Sequence, residues 1–241
     1  KSTGRVIFPT QTEAQWKEEM QYAIGGGLDY ITYIWSNMIN ASSNPIKWHI
    51  ANTEINSKLK MCAMLETVET LSTEGRSALF QAMKSDYYLK YNDMPVVFIY
   101  GTSNITDRAI SFLRKKAALD GVTSPLYIAG MGFMNKNAAL AGAGNGVNAA
   151  SFYAAGAQAK GESYKTLCEY SLSLHEKLLG VKSVMSIIPM ATMGRNNNPR
   201  IVTPVSWSPG TGGSEPYGGF YTKDGTPEEL AGQLVDMLNW N

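Results

Sequence analysis

"MPVVFIYGTSN", residues 94–104, decides the fold. An apolar run reaches Tyr100 and stops at Gly101 and a short polar cluster. Thr106 and Asp107 then open "DRAISFLRKKAALDG", which closes on Gly121 as a helix does. Apolar runs of four to eight residues bounded by Gly, Asn or Thr read as parallel strands buried on both faces, with crossover helices between them. The same plan recurs in "LDYITYIWSN" (28–37), "MCAMLETVET" (61–70), "PLYIAGMGFMN" (125–135), "VNAASFYAAG" (147–156) and "SVMSIIPMATMGRNNN" (183–198). Six strand–helix alternations predict an α/β fold, either a (β/α) barrel or a doubly wound sheet. Both place their chemistry beyond the C-terminal ends of the strands.

The remaining elements extend outward from that core. Thr12 caps a first helix, "EAQWKEEMQYAIGGG", whose Trp16, Met20, Ala23 and Ile24 share a face. Asn44-Pro45 opens a helix to about Leu59, "TEGRSALFQAMKSDYYLKY" reads as another, and "YKTLCEYSLSLHEKLLG" as a third. "TPEELAGQLVDMLNW" closes the chain, with Thr226 at the cap and Pro227 at the first helical position. Residues 192–226 have no periodicity but are rich in Gly, Pro, Asn and Ser. They carry Trp207, Tyr217, Phe220 and Tyr221, which suits a long loop or flap over the site. Binding loops after every strand favour the (β/α)8 TIM-type barrel, as one domain over 1–241, with its first and last strands lacking or aberrant. "RVIFP" (5–9) is a brief candidate for the first strand.

Composition sets bounds. Charged residues are 17% of the 241, the formal charge is +1 and no basic tract occurs, which argues against nucleic acid or an anionic membrane as partner. No apolar run reaches the roughly 18–20 residues of a membrane helix, so no membrane insertion is expected. The sequence begins at Lys1 with no signal-like apolar region and reads as trimmed. Cys62 and Cys168 lack metal-site spacing and read as interior thiols. "GAGNGVNAA" (142–150) precedes a strand where a dinucleotide loop must follow one, and "GTGGSEPYGG" lacks the phosphate-loop Lys-Ser/Thr. His49 and His175 are too few for a metal site or a Ser-His triad, and His175, beside Glu176 and Lys177, reads as solvated. Neither a metal nor a cofactor is expected. "NAS" at Asn40 and "NIT" at Asn104 match glycosylation acceptors.

Four segments, "TQTEAQWKEEMQYAIGGGLDYITYIW", "MPVVFIYG", "PMATMGRNNNPRIVTPVSW" and "TPEELAGQLVDMLNW", together resemble the glycoside hydrolase family 99-like group. That group includes proteins found beside polysaccharide-synthesis genes. The resemblance runs in order over most of the chain and implies a (β/α)8 barrel acting on a glycan, with a carbohydrate as ligand. It departs in two places. Arg195-Asn196 stand where the group has Trp-Asp, and the chain stops at residues 239–241 before the group's carboxylate-bearing last strand. The expected function is therefore a glycoside hydrolase-like, carbohydrate-active protein, with a non-catalytic glycan-binding or scaffold barrel as the alternative. A secreted, extracellular or periplasmic setting is expected ahead of a cytoplasmic one.

Glycoside hydrolysis generally needs two carboxyl groups. Glu66 is the candidate catalytic residue because it follows the strand "MCAML", where an apolar floor would raise its pKa. Its alternative role is to cap a loop. Asp29 precedes its strand and reads as structural. Sugar rings stack on aromatic side chains, and Trp35, Tyr100, Phe133 and Tyr153 all fall near strand ends. The alternative for each is a place in the top layer of the barrel core. Trp35 with Asn37, and Tyr100 with Thr102, are the expected substrate-binding residues. Arg195 and Asn196 join them for sugar hydroxyls or an acidic substituent, and Trp207 for stacking from the flap, while Arg200 is expected to hold the loop.

Overall fold

The computed structural model of the chain describes residues 11–35, 45–69, 71–133, 135–153, 159–192, 221–223 and 225–240. The strands of the main sheet are β1 (Tyr30–Ile34), β2 (Lys60–Leu65), β4 (Met94–Tyr100), β5 (Tyr127–Met131), β6 (Ala149–Ser151) and β8 (Ser186–Ile187). They lie side by side in that order and every neighbouring pair is parallel. A doubly wound sheet reverses its strand order at a switch point. This sheet never reverses, so it is wound as a barrel is. Among the described residues β1 and β8 form its two edges and the ring is not closed.

The register shows which side chains face the axis. One level of the sheet runs Ile34, Met64, Phe98, Ala129, Ala149 and Ser186. That level lies at the end of β1 but at the start of β8, the stagger expected of tilted barrel strands. Alternation then puts Tyr30, Thr32, Cys62, Tyr100, Met131 and Ser151 on the same inner face. Thr32 Oγ1 lies 3.1 Å from Cys62 Sγ across that face.

Helices cover the outer face, and their starts follow from side-chain caps. In α1 (Glu13–Gly25), Thr12 and Gln15 form a reciprocal capping box, as do Thr226 and Glu229 in α8 (Pro227–Asn239). Ser72, Thr106, Asn135 and Ser163 cap α4 (Thr73–Met83), α5 (Asp107–Leu119), α6 (Lys136–Gly144) and α7 (Tyr164–Glu176). Two expected helices are shorter than their periodicity suggests. The segment from Pro45 breaks at Asn52, which ends α2 (Pro45–Ala51) and caps α3 (Thr53–Asn56) by accepting from Ile55 N. The helix expected to reach Tyr91 stops at Met83. Beyond it Tyr87–Leu89 wedge between the N-terminal ends of β2 and β4, with Met61 N donating to Tyr87 O and Val96 N to Leu89 O. The buried Tyr88 hydroxyl donates to Val96 O and accepts from Ala63 N. β3 (Lys90–Tyr91) then pairs antiparallel with β4 across Asn92-Asp93, both at positive φ.

On the outer face of β5, Phe133 fits a slot made by two glycines. A Cβ on Gly130 would meet its ring at 2.3 Å and one on Gly142 at 2.5 Å. A short parallel pair stands apart from the main sheet, β7 (Lys160–Glu162) from the connection after β6 with β9 (Tyr221–Thr222) from the chain after β8. Gln233 of α8 ties that end together, its Oε1 accepting from the Tyr164 hydroxyl at 2.8 Å and from Thr192 N at 3.0 Å. Among the described residues no helix is long and apolar enough to cross a membrane.

Candidate functional site

The inner face does not fill at its C-terminal end. A cavity of about 380 Å³ opens there, lined by Thr32, Ile34, Met64, Met131, Ser151 and Tyr153 among others. Tyr153, two residues beyond β6, lines it, and Tyr100, the last residue of β4, packs against Tyr153. Their rings meet edge to face with centroids 4.7 Å apart, and 46% and 39% of their respective surfaces stay exposed. A pair of half-exposed aromatic rings fixed on two strand ends leaves ring surface unused by the core. Hydroxyls stand below it: Ser151 Oγ donates to Ile188 O at 2.9 Å, and its lone pairs can accept further hydrogen bonds.

Backbone at this end is shaped by glycines. Gly101 follows β4 at φ 79° and turns the chain into a short 3-10 segment, Thr102–Asn104. Gly132 follows β5 at φ 112°, and a Cβ there would stand 3.6 Å from the Gly101 backbone. Asn104 links two strand ends, its Nδ2 donating to Glu66 O at 2.5 Å and to Tyr100 O at 2.8 Å. The amide nitrogen of this glycosylation-like sequence is thus engaged in holding the mouth.

The structure brings three of the expected site residues together at the ends of β2 and β4, Glu66, Tyr100 and the exposed Thr102, though none of them lines the cavity. Glu66 stands in solvent rather than on an apolar floor, because the chain turns outward as soon as β2 ends at Leu65. Trp35 is not with them. It is 1% exposed and its indole donates to Gly75 O in α4 at 2.9 Å, so the ring lies between sheet and helix. The alternation of β1 explains this, since Ile34 takes the inner position and Trp35 the outer one. Phe133 is likewise buried, in its glycine slot. Asn37, Arg195, Asn196, Arg200 and Trp207, with most of 192–226, lie outside the described residues. Sequence reasoning did not single out Ser151, and it read Asn104 only as a glycosylation acceptor. The period-2 pattern from Ala149 would have found Ser151, whereas Asn104 carries no local signal.

Both histidines are buried and structural. Trp16 Nε1 donates to the Tyr33 hydroxyl at 3.2 Å, that hydroxyl lies 3.0 Å from His49 Nδ1, and His49 Nε2 lies 3.0 Å from Leu59 O. An indole can only donate and a carbonyl can only accept, so the chain has one polarity and His49 is the neutral Nε2–H tautomer. Burial pushes its pKa down to about 4, against a smaller opposing effect of the Leu59 hydrogen bond. His175 was expected on a solvated face. Instead Met190 N donates to its Nε2 at 2.9 Å and its Nδ1 donates to Ser171 O at 2.8 Å, with Phe152 and Trp240 against the ring. Its pKa too is lowered by burial. Met190 lines the mouth, so His175 anchors one wall of the cavity from outside the sheet. The two cysteines are free, Cys62 buried and Cys168 half-buried.

A parallel sheet wound in chain order, with its open aromatic mouth at the strand C-termini, defines a barrel-type α/β protein. No known protein family's sequence pattern matches the chain. No curated protein matches it in sequence. A solved structure described as a "Glycoside hydrolase-like protein" superposes on 95% of this chain and 72% of its own, with a TM-score of 0.62 and 13% identity. The chain therefore has a glycoside hydrolase-like fold.

Proposed function

We propose that the chain is a carbohydrate-active protein that holds a glycan at the C-terminal mouth of its barrel. The observation that carries this reading is the Tyr100–Tyr153 pair, two fixed rings with free faces above a cavity bearing hydroxyl groups. Sugars offer apolar C–H faces to such rings and hydroxyls to such groups. The resemblance to the family 99-like group and the likeness in fold support the same class of ligand. In the hydrolytic form of this reading Glu66 is the catalytic carboxylate, reaching the glycosidic oxygen from the rim beside Tyr100 as proton donor or base. Thr102 lies beside it, and Asn37, Arg195 and Asn196 bind sugar hydroxyls, with Trp207 stacking from a flap formed by 192–226.

A second reading, a glycan-binding barrel without turnover, is favoured by a specific observation. No carboxylate is among the described residues that line the mouth cavity. The two readings separate on a panel of α-linked oligosaccharides assayed with the full chain and its Glu66→Gln variant. Turnover that the substitution abolishes supports hydrolysis at Glu66. Binding with no turnover in either protein supports the binding barrel, and neither binding nor turnover across the panel overturns both.

A further inference from the structure

A second cavity, of about 560 Å³, opens at the opposite, N-terminal end of the sheet. It lies where Tyr87–Leu89 hold the starts of β2 and β4 apart, so the barrel floor is not sealed by strand pairing. Tyr30, Tyr91, Tyr127 and Phe98 supply its walls, and Lys90 and Lys182 are the charged residues that line it. The rings of Tyr91 and Tyr127 are in contact, tilted by 53° with centroids 4.9 Å apart, and Tyr91 is 52% exposed. Its volume falls in the range of about 300–1,000 Å³ usual for small-molecule sites.

The electrostatics of this cavity are one-sided. No carboxylate is among the described residues that line it, although Asp29 precedes Tyr30 and Asp93 lies in a neighbouring depression with Lys90. Among the described residues neither lysine belongs to an ion pair. The Lys182 ammonium sits 4.5 Å from the centroid of the Trp240 ring. That cation–π contact fixes the charge at the rim without neutralising it. Four residues, Tyr30, Phe98, Ile188 and Pro189, line both cavities, so this chamber adjoins the mouth at the other end of the strands.

We propose that this lower chamber is a separate binding site for a small aromatic carboxylate, its ring among the tyrosines and its carboxylate at Lys90 and Lys182. Aromatic walls select a flat apolar body, and two unpaired ammonium groups select a single anionic group over a neutral or cationic one. Its charge selection is separate from the mouth, because Lys90 and Lys182 line this chamber and not the mouth cavity.

The test is isothermal titration of the full chain with 2-naphthoate and with its neutral counterpart 2-naphthalenemethanol. The account predicts one-to-one binding of the carboxylate, weakened at least tenfold in a Lys90→Gln, Lys182→Gln variant and by a rise from low to 0.3 M salt. The alcohol should bind more weakly, with no response to either change. Both lysines lie on the surface of the cavity rim, so the variant should keep the thermal midpoint of the parent, and oligosaccharide binding should be unchanged. Equal binding of the two compounds, an unaltered carboxylate affinity in the lysine variant, or no binding at millimolar concentration would each overturn the proposal.

Discussion

Acid should destabilise this protein through its two buried histidines well before its carboxylates titrate. Each imidazole is buried with its one N–H given to a backbone carbonyl, so a second ring proton brings a charge into a poorly solvated site. At His49 it would point at the Tyr33 hydroxyl that donates to it, and at His175 it would oppose the Met190 N–H. The folded-state pKa is depressed, so the unfolded chain takes up the proton first and stability falls as pH drops below the unfolded value. For His49, with 6.5 unfolded and about 4 folded, the loss relative to pH 8 is about 1.4 kcal/mol at pH 5.5 and about 2 kcal/mol at pH 5. His175 adds to it with the same sign. Urea unfolding followed by tryptophan fluorescence from pH 8 to pH 5 measures the slope. In His49→Gln the amide can still donate to Leu59 O and accept from Tyr33, and the fall should shrink by His49's share. A stability that is flat across this range, or an identical fall in the His49→Gln variant, would refute the reasoning.

Gly130→Ala should cost about 1–3 kcal/mol by forcing Phe133 from its slot, read as a lowered urea midpoint; an unchanged midpoint would deny the slot. Burial pushes the Cys62 thiol up to about 12 and raises Cys168 as well. A disulfide reagent at pH 8 should therefore find no fast thiol in the native chain and two after unfolding, whereas an immediate reaction of both would contradict the burial. Asn104→Ala removes two hydrogen bonds to carbonyls and should cost about 1–2 kcal/mol, together with glycan affinity, since Glu66 and Tyr100 lose their tie. An affinity that stays put in that variant would separate Asn104 from the site.

Much of this architecture was legible because buried parallel strands leave a continuous apolar record. "KMCAMLE" and "MPVVFIY" could be read directly, and Thr12, Thr106 and Thr226 announced their helices through capping chemistry that is local by nature. Tertiary contacts overrode the pattern elsewhere. The helical spacing from Thr73 continues to Tyr91, yet the gap between β2 and β4 captures Tyr87–Leu89 as extended chain. His175 looked solvated beside Glu176 and Lys177, and the segment beyond β8 at Met190, with Phe152 and Trp240, covers it. At the site, strand ends were identified correctly as a set, but inward and outward positions differ by one residue. That single step sends Trp35 into the outer layer and leaves Tyr100 and Tyr153 at the mouth. No local signal carries Asn104's role, because its partners are the residue just beyond β2, 38 residues away, and the last residue of β4.

The central claim is that the C-terminal mouth binds sugar through its tyrosine pair, and the affinity of a Tyr153→Ala variant for an oligosaccharide that the parent binds tests it most directly. Covering the exposed half of this side chain on binding should contribute about 1–2 kcal/mol, so its loss should raise Kd about fivefold to thirtyfold. Because Tyr153 is 46% exposed in the free protein, the thermal midpoint should hardly move. An unchanged Kd, or a loss of affinity that merely tracks a loss of stability, would contradict the account.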